Sequence, residues 1–197
     1  MRAVARNSTN ATLYGDNDRY SQSRIDSILD ANLIFSREFQ VYVLELKSLN
    51  DQFYDRMKAA YLFYMGGIEN ALSKDEFISG PHLTIADISF VCEVAQFLRE
   101  RDRQVLIKEK GYEIVSKNFQ EDFPKSCKHL LTLYKKDEFQ EVMKGFLDGI
   151  LSWKLKSTLS CFWIDKPLLD RQVDKRCKNS KGGIKKPNRS IVSRYTE

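Results

Sequence analysis

The stretch GPHLTIADISF, residues 80–90, decides the fold. Gly80 opens a turn, Leu83 is apolar, and Thr84 stands three residues before Asp87. At that spacing a threonine hydroxyl at a helix N-cap accepts from a first-turn backbone N–H. A carboxylate at the third helical position then reaches back to the N-cap N–H. Leu83 and Ile88 flank the same turn and can close a hydrophobic staple across it. Loss of either polar partner should cost about 1 kcal/mol, and more where the turn is buried. The box alone says little, because Ser23/Asp26, Ser27/Asp30, Ser48/Asp51 and Ser73/Glu76 share its spacing. The fuller set of Gly80, Leu83, Thr84, Ala86, Asp87 and Ile88 is more informative, because it follows two long amphipathic segments.

The first of those segments runs on from Ser23, where Ile25, Ile28, Leu29, Phe35, Phe39, Tyr42 and Leu46 recur at helical spacing. Asn32 falls on the same stripe. It reads either as a buried amide bonded to a neighbouring helix or as a polar group in a pocket. Ser48 and Asp51 offer the next start signal, and Phe53, Met57, Ala60, Tyr61, Tyr64, Ile68 and Leu72 carry the second stripe. Gly66-Gly67 interrupts it, at about 1 kcal/mol per glycine relative to alanine unless close packing compensates. Downstream, a helix is predicted from Thr84 to Arg101 with Ile85, Ile88, Cys92, Ala95 and Leu98 facing inward. Two more follow at Lys125–Tyr134 and Asp137–Leu151, the last lined by Phe139, Val142, Met143, Phe146 and Ile150. Strand-like alternation does not persist before residue 151, heptads are not sustained and no repeat recurs. The body reads as all-α.

Bulk properties narrow the class. Of 197 residues, 42% are hydrophobic and 30% charged, ordinary for a globular protein, and 4 Pro with 9 Gly disfavour turn-rich β architecture. Cys92, Cys127, Cys161 and Cys177 form no close pair, and His82 and His129 lie far apart, so the ligand spacing of a structural zinc site is missing. No N-terminal charged-then-apolar leader and no run of about 18 apolar residues appears, which leads to the expectation of a reduced, cytoplasmic protein without a membrane span. The three Asn-x-Ser/Thr matches, at Asn7, Asn10 and Asn188, are then coincidental. The net charge of +5 divides unevenly: residues 152–197 hold 12 Lys or Arg against 4 Asp or Glu, a balance of +8, leaving residues 1–151 at −3. A nucleic-acid footprint on the body is therefore disfavoured, and nucleic acid is expected only through the basic tail. That tail, with Gly182-Gly183 and Pro187, reads as largely disordered. It is either a solvated extension or an arm for RNA or acidic membranes.

The set around Thr84, placed after two long helices, resembles the C-terminal all-helical domain of the cytosolic glutathione S-transferases. That family carries a buried capping box and staple at the start of a core helix, preceded by a glycine turn. LYGDNDRYSQSRIDSILD (residues 13–30) resembles the family's interdomain linker and first helical-domain helix. FPKSCKHLLTLYKKDEFQEVM (residues 123–143) resembles its later segment, and is also similar to the transferase-like domain in the gamma subunit of the eukaryotic translation elongation factor complex. The resemblance covers about residues 1–150 and implies three regions: 1–20, a linker with the remnant of a preceding domain; 21–151, the helical bundle; and 152–197, the basic tail.

What the resemblance implies for chemistry is one-sided. The family's thioredoxin-like domain, which activates the glutathione thiol, is not recognisable here, as if the product were shortened. The helical half implies an apolar pocket for the electrophile, with Asn32, Phe35, Arg37 and Phe39 as candidates, while Gly80, Leu83, Thr84, Asp87 and Ile88 are structural. The residues alone show no catalytic set and no phosphate loop. Two readings stay open: a glutathione transferase relative holding the substrate-pocket half, with glutathione as implied co-substrate, or a non-catalytic interaction module. In either, an apolar face is expected to need cover from a second copy, a protein partner or the Trp153–Trp163 segment.

Overall fold

A computed structural model describes residues 1–145. The expected boundary at 151/152, the basic tail, Phe146, Ile150, Cys161 and Cys177 lie outside the described residues. Among the described residues the chain is helical, and its one β feature is an isolated antiparallel bridge between Phe77 and Gly80. In chain order the helices are α1 (Arg2–Arg6), α2 (Arg19–Leu44), α3 (Asp51–Ala71), α4 (Ile85–Leu98), α5 (Gln104–Glu109), α6 (Phe119–Asp122) and α7 (Pro124–Tyr134). Residues 137–145 are also helical.

Residues 1–17 pack onto the helical body. Helix α1 and a 3-10 turn at Ala11–Tyr14 bury Ala5 and Tyr14 against Ile25 and Leu29 of α2 and Ile85 of α4. Gly15 then turns the chain in the left-handed region, φ +81°, where an added Cβ would lie 2.9 Å from the Ser21 Cβ. Only glycine fits that corner. Asp18 caps α2 by accepting from the Ser21 N–H at 2.8 Å, so the helix begins four residues before the Ser23 at which its apolar stripe begins. At α3 the N-cap is Asn50, accepting from Phe53, and not Ser48. The helix passes unbroken through Gly66-Gly67, where an added Cβ would meet nothing within 4 Å. Close packing among the described residues therefore does not explain the two glycines.

Helix α4 sits at the centre, packed on α2 and α7. Asp87, Phe90, Val91, Val94, Ala95 and Phe97 are fully buried, so the helix is enclosed on most of its circumference. Of the expected inward stripe, Ile85, Ala95 and Leu98 are buried, and Ile88 and Cys92 are half-buried against the main core. The apolar register of 85, 88, 92 and 95 is one of several that an almost wholly apolar helix presents. Rather than running to Arg101, α4 gives way after Leu98 to a 3-10 segment, Arg99–Arg103, which leads into α5. Aromatic rings fill the space between helices: Phe35 stacks on Tyr64 at 4.9 Å, and Phe97 meets Phe35 and Tyr61 at 5.1 and 5.0 Å. In the helix at 137–145, Phe139 and Met143 are buried, whereas Val142, expected to line it, is 74% exposed.

The start of α4 ties the core together. The Thr84 hydroxyl accepts from Ala86 N–H, and both the Thr84 N–H and hydroxyl donate to Asp87 Oδ2 at 2.9 and 3.1 Å, forming a capping box. Asp87 Oδ1 accepts from the Ile78 N–H at 3.0 Å and lies 2.8 Å from His129 Nε2 of α7. Leu83 and Ile88 are both half-buried against the main core. Two further carboxylates act as internal partners. Glu69 of α3 accepts from the Lys125 and Ser126 N–H groups and so caps α7. Glu100, 1% exposed, accepts from the Tyr42 hydroxyl, the Val115 and Ser116 N–H groups and the Ser116 hydroxyl.

Candidate functional site

The four pocket candidates of α2 part company in space. Phe35 is completely buried in the aromatic cluster and has no surface to offer a ligand. Asn32, 5% exposed, donates from Nδ2 to the Ser89 hydroxyl of α4 at 2.6 Å, which is the buried-amide alternative. Arg37 is exposed and lines none of the described clefts. Phe39 alone lines a cleft. One edge of its ring packs on Phe97 at 5.3 Å, and the rest of the side chain forms part of a depression of about 470 Å³.

The depression exists because α4 stops short. Phe35 and Phe39 are one turn apart on α2, yet Phe35 faces α3 and α4 together. Phe39 lies where α4 is about to end at Leu98. There Phe39, Val43 and Leu44 form an apolar wall opposite Gln96, Arg99 and Arg103. A second depression of about 650 Å³ adjoins it, sharing Val43, Leu44, Asp102 and Arg103 and continuing past Leu46 to Val105 and Leu106 of α5. Leu44 is 80% and Val105 73% exposed, so the trough is apolar and open to solvent. Its charged residues are Arg99, Asp102 and Arg103, with Lys47 and Glu109 along the second depression. Arg99 pairs with Asp102 at 3.1 Å, while Arg103 has no ion-pair partner among the described residues. Val43, Leu44, Arg99 and Arg103 were not singled out in the sequence, where nothing local marks the end of α4 as the edge of a trough.

Among the described residues no cysteine or tyrosine lines the trough. A thiolate is stabilised by a donated hydrogen bond or by nearby positive charge. Cys92 is half-buried, and burial together with the Glu93 charge pushes its thiol up. Burial raises the phenols of Tyr42, Tyr61 and Tyr64, and none of the three lines the trough. The arrangement offers an open surface with one apolar wall. Among the described residues no three His, Cys, Asp or Glu side chains gather as metal ligands do, and no helix is long and apolar enough to cross a membrane.

A separate cleft of about 520 Å³ lies between the 72–77 turn and α7, with Phe77, Lys125, Lys128, His129 and Lys136 among its walls. His129 is 8% exposed and held by Asp87, so its main role is to lock α7 to the start of α4. His82 is on the surface. No protein-family model, curated protein or solved structure matches this sequence.

Proposed function

We propose that the helical body is of the glutathione transferase C-terminal type and that the trough along the end of α2 takes the apolar part of an electrophilic ligand. The carrying observation is the wall of Phe39, Val43 and Leu44, of which Leu44 is 80% exposed at the end of a helix with no partner over it among the described residues. The buried capping box at Thr84 and Asp87 and the docking of residues 1–14 on α2 support the same reading. The chain's own part in the chemistry is to hold and orient the apolar moiety.

A neutral dye that fluoresces only out of water tests this. Saturable binding to the full chain is expected, with at least tenfold weakening in Leu44→Asp, whose exposed position keeps the fold intact. Saturation should also raise the melting midpoint by mass action, whereas millimolar glutathione alone should leave it unmoved. Unsaturable binding, or a Leu44→Asp variant that binds as well as the parent, ends the reading.

The interaction-module alternative rests on a different face. Phe63 is 72%, Ile34 57% and Leu62 47% exposed, and Gly66-Gly67 leaves open space beside them. Sedimentation of the parent chain against Phe63→Glu decides it: a complex that the substitution dissolves favours the module, and two monomers remove its support.

A further inference from the structure

We infer that the occupant of the trough is a linear amphipathic monocarboxylate, an alkyl chain of about ten carbons, with Arg103 taking the carboxylate. This deepens the ligand reading above and rests on it. Its lining runs from Phe39 down α2 to Leu44 and on through the 3-10 turn to Lys47, roughly 12 Å at a rise of about 1.5–2 Å per residue, the length of such a chain. Beyond Phe39 the walls are aliphatic, namely Val43, Leu44, Leu46, Val105 and Leu106, so they suit methylene groups better than a flat ring.

The charges single out one anion. Arg103 lines both depressions and is the guanidinium left over after Arg99 and Asp102 satisfy each other. Lys47 and Glu109, on the rim of the second depression, offset one another in sign. The trough thus presents about one net positive charge, enough for a monoanion and too little for a phosphate monoester. A guanidinium also offers the planar fork that a carboxylate matches. Because Arg103 is exposed, its contribution is limited to that of a surface ion pair, about fivefold in affinity, and is screened by salt.

Displacement of the neutral dye by decanoate, decanol and decylammonium, on the parent chain and on Arg103→Gln, tests the assignment. Decanoate should compete about fivefold better than decanol and better still than decylammonium. The preference should vanish in Arg103→Gln, shrink in high salt and be partly kept in Arg103→Lys. If all three compete equally on the parent, or if Arg103→Gln keeps the preference, the carboxylate assignment is overturned while the apolar site stands. If none displaces the dye although the dye itself saturates, the linear-chain assignment fails. If the dye does not saturate either, the ligand site as a whole falls.

Discussion

Three buried phenols show how little the residue type decides without its partner. Tyr42, Tyr61 and Tyr64 are each at most 2% exposed. The Tyr42 hydroxyl donates to Glu100 at 2.8 Å, and the hydroxyls of Tyr61 and Tyr64 have no hydrogen-bond partner among the described residues. A buried polar group left unpaired carries its full desolvation cost, on the order of 1–3 kcal/mol, whereas a paired one contributes about 1 kcal/mol net, or more where its partner is ionised. The same substitution should therefore have opposite effects at two of these sites. Tyr42→Phe should destabilise by about 2 kcal/mol, because Glu100 loses a donor in a place water does not reach. Tyr64→Phe should be neutral or stabilising by about 1 kcal/mol, because the ring stack on Phe35 is kept and an unpaired hydroxyl is removed. Urea titrations of the two variants give the comparison. Equal losses would mean that the hydroxyls are equally satisfied.

Among the elements, α3 holds the clearest test. Its two central glycines adopt helical backbone, so neither a positive φ nor a close approach among the described residues requires them. Alanine in an exposed helix interior is favoured over glycine by about 1 kcal/mol. Gly66→Ala and Gly67→Ala should each raise stability by up to that amount and, being neighbours that touch nothing else, should add. A loss of stability in either would show that another surface approaches α3 closely at this point, and would favour the interaction reading. The sequence carried the existence of α2, α3, α4 and α7, because their signals are local and repeat over several turns. It did not carry their ends. Asp18 and Asn50 cap α2 and α3 in place of the serines, and α4 stops at Leu98, which leaves the trough beside Phe39. Helix ends depend on what packs there. The same holds for the Asp87–His129 contact, whose partners are 42 residues apart and share no local pattern.

On the scale of the whole molecule, the described chain has two cores of unequal size. The main one runs from Phe35 to Met143, and the minor one joins Ala5, Tyr14, Ile25, Leu29 and Ile85. The polar composition of residues 1–20, which read as a linker with the remnant of a preceding domain, is also what fastens the segment. Arg2 bonds Asp26 at 2.6 Å and also reaches Asp30. The Tyr14 hydroxyl donates to Asp26 at 2.8 Å, and Arg6 donates to that same hydroxyl from above the ring. Partial burial alone would raise Asp26, but the hydrogen bonds from Arg2 and Tyr14 and the two guanidinium charges outweigh it and hold the carboxyl below its ordinary value. A carboxyl depressed in the folded state stabilises fully above its unfolded value, near pH 4, and loses that contribution as pH falls through the folded value. Arg2→Gln should therefore lower the melting midpoint at pH 7, by an amount that corresponds to 1 kcal/mol at most because Arg2 and Asp26 are more than a third exposed. The gap between variant and parent should close progressively below pH 4 and be absent once Asp26 is protonated. Melts of the two chains from pH 7 down to the lowest pH at which both unfold cooperatively give the curve. A gap that stays constant across that range would mean that Arg2 holds the N-terminal segment through packing of its stem, with the Asp26 charge playing no part.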